Sequence, residues 1–111
     1  MRTPTVSRTM AEVLGLLLQA WQEGAELHGW LIMRGLRRSG PAVYAALDQL
    51  EDAGWTTASW EALPAGENRA RRRYYRLTAS GVEAARQHAI PVETERPRWW
   101  RPQPGFGMAA R

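Results

Sequence analysis

The chain has 111 residues, no cysteine, two histidines and a net charge of +4, and all fifteen of its basic residues are arginine. That excludes disulfides and thiolate metal sites, leaves too few histidines for a metal centre, and gives room for one small domain. No apolar stretch approaches the roughly 20 residues of a membrane span, and Met1-Arg2-Thr3-Pro4 lacks the apolar run of a secretion signal, so the expected compartment is the cytoplasm.

Residues 1–6 read as a flexible N-terminus. Thr9-x-x-Glu12 has the form of a capping box. Behind it Met10, Val13, Leu14, Leu17, Leu18 and Trp21 recur at helical spacing and predict one apolar helix face. Gly24 suits a left-handed stop. A second, shorter helix is expected from about Leu27 to Arg37, weakened by Gly29 and Gly35. Ser39-Gly40-Pro41 breaks the chain and restarts it, with Ser39 or Gly40 as cap and Pro41 in the first turn. The third helix runs to Ala53 and stops at Gly54. Val43, Ala46, Leu47 and Leu50 form its inward stripe, and Ala42, Tyr44, Ala45, Asp48, Gln49 and Asp52 face elsewhere.

After Gly54 the texture changes. Trp55 to Glu61 is rich in aromatic and β-branched residues and predicts a strand. Pro64, Gly66 and Asn68 predict a turn. The segment Arg69-Ala70-Arg71-Arg72-Arg73-Tyr74-Tyr75-Arg76-Leu77 carries five arginines and no acid, straight after a stretch from Asp48 to Glu67 with five acids and no base. A return strand is expected from Arg71 to Leu77, with Tyr75 and Leu77 packed inward. Thr78 caps a fourth helix, Ala79 to about Ala89, which Pro91 ends. Residues 91–111, with four prolines and the pair Trp99-Trp100, read as an extended or disordered tail. Residues 7–90 then form a mainly α domain with a small β-hairpin. Three helices, a two-stranded wing and a short last helix make a winged helix-turn-helix.

The chain resembles the PadR family of winged-helix transcriptional regulators. Val13-Leu14-Gly15-Leu16-Leu17 is similar to the family's opening motif, Leu27-His28-Gly29-Trp30-x-Ile32 to its second, and Gly40-Pro41-Ala42-Val43-Tyr44-Ala45-Ala46-Leu47-x-x-Leu50-Glu51-x-x-Gly54-Trp55 to its third. Arg73-Tyr74-Tyr75-Arg76-Leu77-Thr78-x-x-Gly81 resembles the closing one. The resemblance runs from about Val13 to Arg86. It implies a DNA-binding repressor acting as a homodimer, and a small-molecule inducer, bound near the dimer interface in several members, of a kind this sequence does not name. By position, Tyr44 would reach DNA from the recognition helix, Ser39, Gly40, Pro41 and Ala42 would lie at its start, and the arginine-rich strand would be the wing. Asp48 and Gln49 stand where members often carry Lys or Arg, and Pro91 shortens the final helix that many members use to dimerise.

The residue chemistry fits that picture. Small residues at 40–42 let the backbone approach a duplex, free N–H groups at a helix start favour phosphate, and Tyr44 and Ala45 are placed to touch phosphate or base edges. Gln49 can pair with adenine if it reaches the major groove. Arg69, Arg71, Arg72 and Arg73 in two wings predict a log–log salt slope on the order of −6 to −8. The bland reading of the same arginines is a solvated strand face paired with Asp48, Asp52 or Glu67, with Arg73 the most structural of the four. Trp21, Trp30, Trp55 and Trp60 are expected in or at the edge of the core, and His28 in a capping or core-edge position. Leu14, Leu17, Trp21, Val82, Ala85, Trp99 and Trp100 are candidates for a dimer or ligand interface. No catalytic set, phosphate loop or metal spacing is present, so neither an enzyme nor a cofactor is expected. The competing function is a winged-helix module that docks a protein partner through Trp99-Trp100.

Overall fold

The computed structural model describes residues 4–91. In chain order they form α1 (Arg8–Gln22), β1 (Leu27–His28), α2 (Gly29–Leu36), α3 (Gly40–Asp52), β2 (Thr56–Trp60), β3 (Arg73–Leu77) and α4 (Ala79–His88). Trp99, Trp100 and the rest of the expected tail beyond Pro91 lie outside the described residues.

Helix α1 starts earlier than Thr9-x-x-Glu12 suggests. Ser7 is its cap, accepting the Met10 N–H at 3.1 Å. Glu12 is engaged elsewhere: its carboxylate pairs with Arg38, just before α3, and with Arg8 at 3.3 Å. The Arg38 hydrogen bond is the main cause of its carboxyl falling below the usual range. This pair ties α1 to the turn between α2 and α3. Gly24 takes the left-handed φ of 68° expected past the helix end.

Leu27 and His28 do not open a helix. They form a short strand that pairs antiparallel with β3, Leu27 opposite Tyr75 and His28 opposite Tyr74. The sheet therefore has three strands in the order β1-β3-β2. The β2–β3 pairing sets Thr56 opposite Leu77, Ala58 opposite Tyr75 and Trp60 opposite Arg73. Alternation then sends Tyr75 and Leu77 into the core, as the sequence pattern predicts. Burying two such side chains fully contributes about 1.5–3 kcal/mol each, which holds the hairpin to the helices.

The core gathers Met10, Val13, Leu14, Leu16 and Leu17 of α1 with Leu27, Ile32, Val43, Leu47, Leu50 and Val82. Val6 packs against it ahead of α1. Thr78 joins the sheet to α4: its hydroxyl donates to the Gly54 carbonyl at 2.7 Å and accepts the Gly81 N–H at 3.0 Å.

Candidate nucleic-acid interface

Helices α2 and α3 form the helix-turn-helix. The turn is made by Arg37 in the left-handed region, φ 54°, rather than by the Ser39-Gly40 break. Ser39 caps α3 and accepts the Ala42 N–H at 3.4 Å, while the Val43 N–H reaches the Ser39 carbonyl at 3.1 Å. Pro41 has no N–H to offer. The Ala42 and Val43 N–H groups are thus engaged within the chain at the start of α3. Its small residues do face outward, with Pro41 exposed and Gly40 and Ala42 half-buried.

The periodicity of α3 separates two faces. Val43, Ala46, Leu47 and Leu50 are buried, and Tyr44, Ala45, Asp48, Gln49 and Asp52 are exposed. Asp48 therefore stands on the outward face one turn beyond Tyr44. Tyr44 is 43% exposed. It lines a cleft of about 470 Å³ between α2, α3 and the wing, together with His28, Gly29, Trp30, Trp60, Arg71, Arg72, Arg73 and Tyr75. Gln49 lies elsewhere, with Asp52 beside Pro4 and Thr5. The structure brings Tyr44 and three of the wing arginines together, and keeps Gln49 apart from them.

The four wing arginines are not equivalent. Arg69 grips Glu61 with both guanidinium ends, at 2.7 and 2.8 Å, and holds Glu67 at 3.2 Å. Those bonds pull the Glu61 carboxyl down to about 2 and push the Arg69 guanidinium up. Arg73 pairs with Glu51 of α3 at 3.2 Å and lies over the rings of Trp60 and Tyr75, at 5.5 and 5.9 Å. Arg71 and Arg72 precede β3 rather than lying in it, are exposed, and carry no side-chain ion pair among the described residues. The acids that neutralise the wing are Glu61, Glu67 and Glu51. Among the described residues Asp48 and Asp52 form no ion pair with the wing.

Three of the four tryptophans expected in or at the edge of the core are exposed: Trp21 by 44%, Trp30 by 51% and Trp60 by 61%. Only Trp55 packs against the core. Trp30 and Trp60 flank the cleft, and Arg34 lies over the Trp30 ring at 4.9 Å. Arg34, one turn after Trp30 on α2, is a cation of this face that the sequence pattern did not single out. His28 is buried between the Trp30 and Tyr74 rings, at 6.1 and 5.5 Å. Burial first, then the nearby Arg72 charge, push its pKa down, against a smaller opposing pull from Glu61. It occupies the cap position of α2 without a side-chain cap bond.

Of the residues proposed for a dimer or ligand interface, Leu14, Leu17, Val82 and Ala85 are buried inside the subunit, where α1 and α4 pack together. No partner can reach them while this core is intact. Their helical spacing marked an apolar face correctly but could not say that the chain itself covers it. Trp21 remains on the surface. Among the described residues no three His, Asp or Glu side chains stand where they could share a metal ion, and no helix is long and apolar enough to cross a membrane.

A helix-turn-helix followed by an antiparallel wing, with guanidinium groups and a tyrosine on one face, defines a winged-helix protein. The profile of the transcriptional regulator PadR-like family matches residues 13–87, and the chain belongs to that family, whose members are transcriptional regulators and not enzymes. Among solved structures it is similar to MepR, a transcription regulator of the Staphylococcus aureus multidrug efflux pump MepA. That match has 26% identity and a TM-score of 0.58 over 75% of this chain and 55% of the other. It is similar to the S. aureus MepR–DNA complex at 27% identity and TM-score 0.56, over 73% of this chain and 54% of that one. A PadR family transcription regulator from hypervirulent Clostridium difficile R20291 shares the fold at 20% identity and TM-score 0.52, over 68% of this chain and 83% of that one. The chain spans about half the length of the MepR chains it matches. No curated protein matches it.

Proposed function

We propose that this chain is a sequence-specific DNA-binding regulator that represses transcription from the cytoplasm by occluding a promoter. It would act as a homodimer on a near-palindromic operator. The observation that carries the reading is the cleft lined by the outward tyrosine of α3, Tyr44, and by Arg71 and Arg72 of the wing, which carry no ion pair among the described residues. Ser39, Gly40, Pro41, Ala42 and Ala45, small residues near Tyr44 along α3, would let the helix approach a groove. Two such helices would enter successive major grooves about 34 Å apart. A domain of this size buries only about two thirds of its unfolded surface, so a second copy would also add stability. The MepR structure solved with DNA supports the reading, because a related fold uses DNA as its partner.

The paired state of Arg69 and Arg73 changes the expected electrostatics. Arg71 and Arg72, without an ion pair among the described residues, would give the two wings of a dimer a salt slope of about −4, shallower than four free arginines would give.

A gel shift against genomic fragments at two salt concentrations tests the function. Retained, salt-sensitive bands on particular fragments are expected. No shift at any salt, with a specific protein captured instead through the Trp99-Trp100 segment, would replace this reading with the protein-docking one.

A further inference from the structure

Gly29 is the first residue of α2 and is buried. It does not take a positive φ, unlike Gly24, Gly54 and Gly66, so its backbone does not require glycine. A glycine within a helix costs about 1 kcal/mol relative to alanine. What glycine provides here is space. A Cβ at position 29 would stand 2.6 Å from Tyr44 Cζ and 2.7 Å from Cε1, and closer still to the hydroxyl. The end of the phenol therefore rests directly on the Gly29 α-carbon.

Tyr44 is not core filler, because 43% of it is exposed. One side of its ring is seated on α2, and the rest lines the cleft that holds Arg71 and Arg72. A side chain held in one position before binding loses less conformational freedom when a partner arrives, and offers its hydroxyl at one place only. We infer that Gly29 is a positioning residue for DNA readout: the bare α-carbon at the start of α2 fixes where Tyr44 of α3 meets the duplex, and so sets operator selectivity. This rests on the proposed DNA-binding function. A glycine that merely allowed α2 and α3 to pack would affect stability alone.

The test uses the full chain and four proteins: the wild type, Gly29→Ala, Tyr44→Ala and the double variant. Duplexes selected by the wild type from a random pool, and scrambled duplexes of equal composition, are compared by fluorescence anisotropy, with thermal unfolding alongside. Gly29→Ala is expected to lower the selected-to-scrambled affinity ratio by about tenfold without changing the salt dependence. Added to Tyr44→Ala, the same methyl should change the ratio less than about twofold and leave the melting temperature no lower, because the phenol it displaces is gone. Should Gly29→Ala alone fail to fold while the double variant folds and keeps the selectivity of Tyr44→Ala, the glycine serves packing against Tyr44 alone and the inference is overturned. The inference is overturned if Gly29→Ala keeps the wild-type ratio, if Tyr44→Ala does, if the methyl costs the same factor again without Tyr44, or if the double variant also fails to fold. A wild type that selects no duplex is a distinct result: it removes the DNA-binding function itself, and this inference with it.

Discussion

The outward face of α3 and the wing are built on opposite plans. The helix presents Pro41, Tyr44, Ala45, Asp48 and Gln49, without one cation. The wing presents four arginines within five residues of chain, two of them neutralised by Glu61 just past β2, Glu67 of the hairpin loop and Glu51 of α3. A helix face with Asp48 and Asp52 on it cannot be held to phosphate by charge. It can only fit or fail to fit a groove. The wing's Arg71 and Arg72, without an ion pair among the described residues, would in the proposed function attract any duplex and read none. Under the proposed function, affinity and selectivity would fall to different elements, joined by the Arg73–Glu51 ion pair at 3.2 Å.

That division is open to direct attack. The largest effect is expected from Arg71→Ala combined with Arg72→Ala. Affinity for every sequence should fall together, roughly a hundredfold at low salt, and the salt slope should flatten by about 4 for a dimer. A selective loss, or an unchanged slope, would break the comparison. Next in size, Tyr44→Ala should cost about tenfold in the ratio of specific to non-specific affinity with the slope unchanged. A titration over several salt concentrations separates the two outcomes.

Smaller changes sharpen it. Glu61→Gln takes away the bidentate partner of Arg69, leaving the Glu67 contact, and should strengthen non-specific binding a few-fold, steepening the slope by up to about 1 per wing. Acid should release the same pair in the free protein. The Glu61 carboxyl is held at about 2 against an ordinary 4.5, so the pairing is complete above the ordinary value and is lost as pH falls toward 2. Loss of the Arg69–Glu61 pair should shift the indole N–H signal of the neighbouring Trp60 over that range, and in Glu61→Gln the signal should stay flat. Least of all, Arg37→Gly relieves a left-handed arginine and should raise stability by up to about 1 kcal/mol, read by denaturant unfolding, while DNA selectivity stays as it was.

Much of the fold was legible in the sequence. The stripe from Met10 to Leu17, the Ser39 cap with Pro41 behind it, Gly24 and Gly54 past helix ends, the inward Tyr75 and Leu77 and the Thr78 cap are all set within a few residues of chain. Local backbone geometry and side-chain periodicity suffice to read them. The misreadings share one cause. Leu27 and His28 become a strand because β3 lies beside them, and Glu12 leaves its expected capping role because Arg38 arrives from another element. Trp30 and Trp60 stay exposed because the core is complete without them.

For the candidate site, the residue types pointed to the wing and to Tyr44, but not to which arginines are free. Composition and spacing by themselves determined the helix-turn-helix and the arginine-bearing hairpin, and the likeness of four motifs pointed to the family. Only the tertiary structure decided that Arg69 answers to Glu61, that Arg73 answers to Glu51, and that Tyr44 sits on Gly29. The reason is physical. A charge or a ring takes its partner through space, and those partners stand 8, 22 and 15 positions away along the chain, beyond the reach of any local pattern.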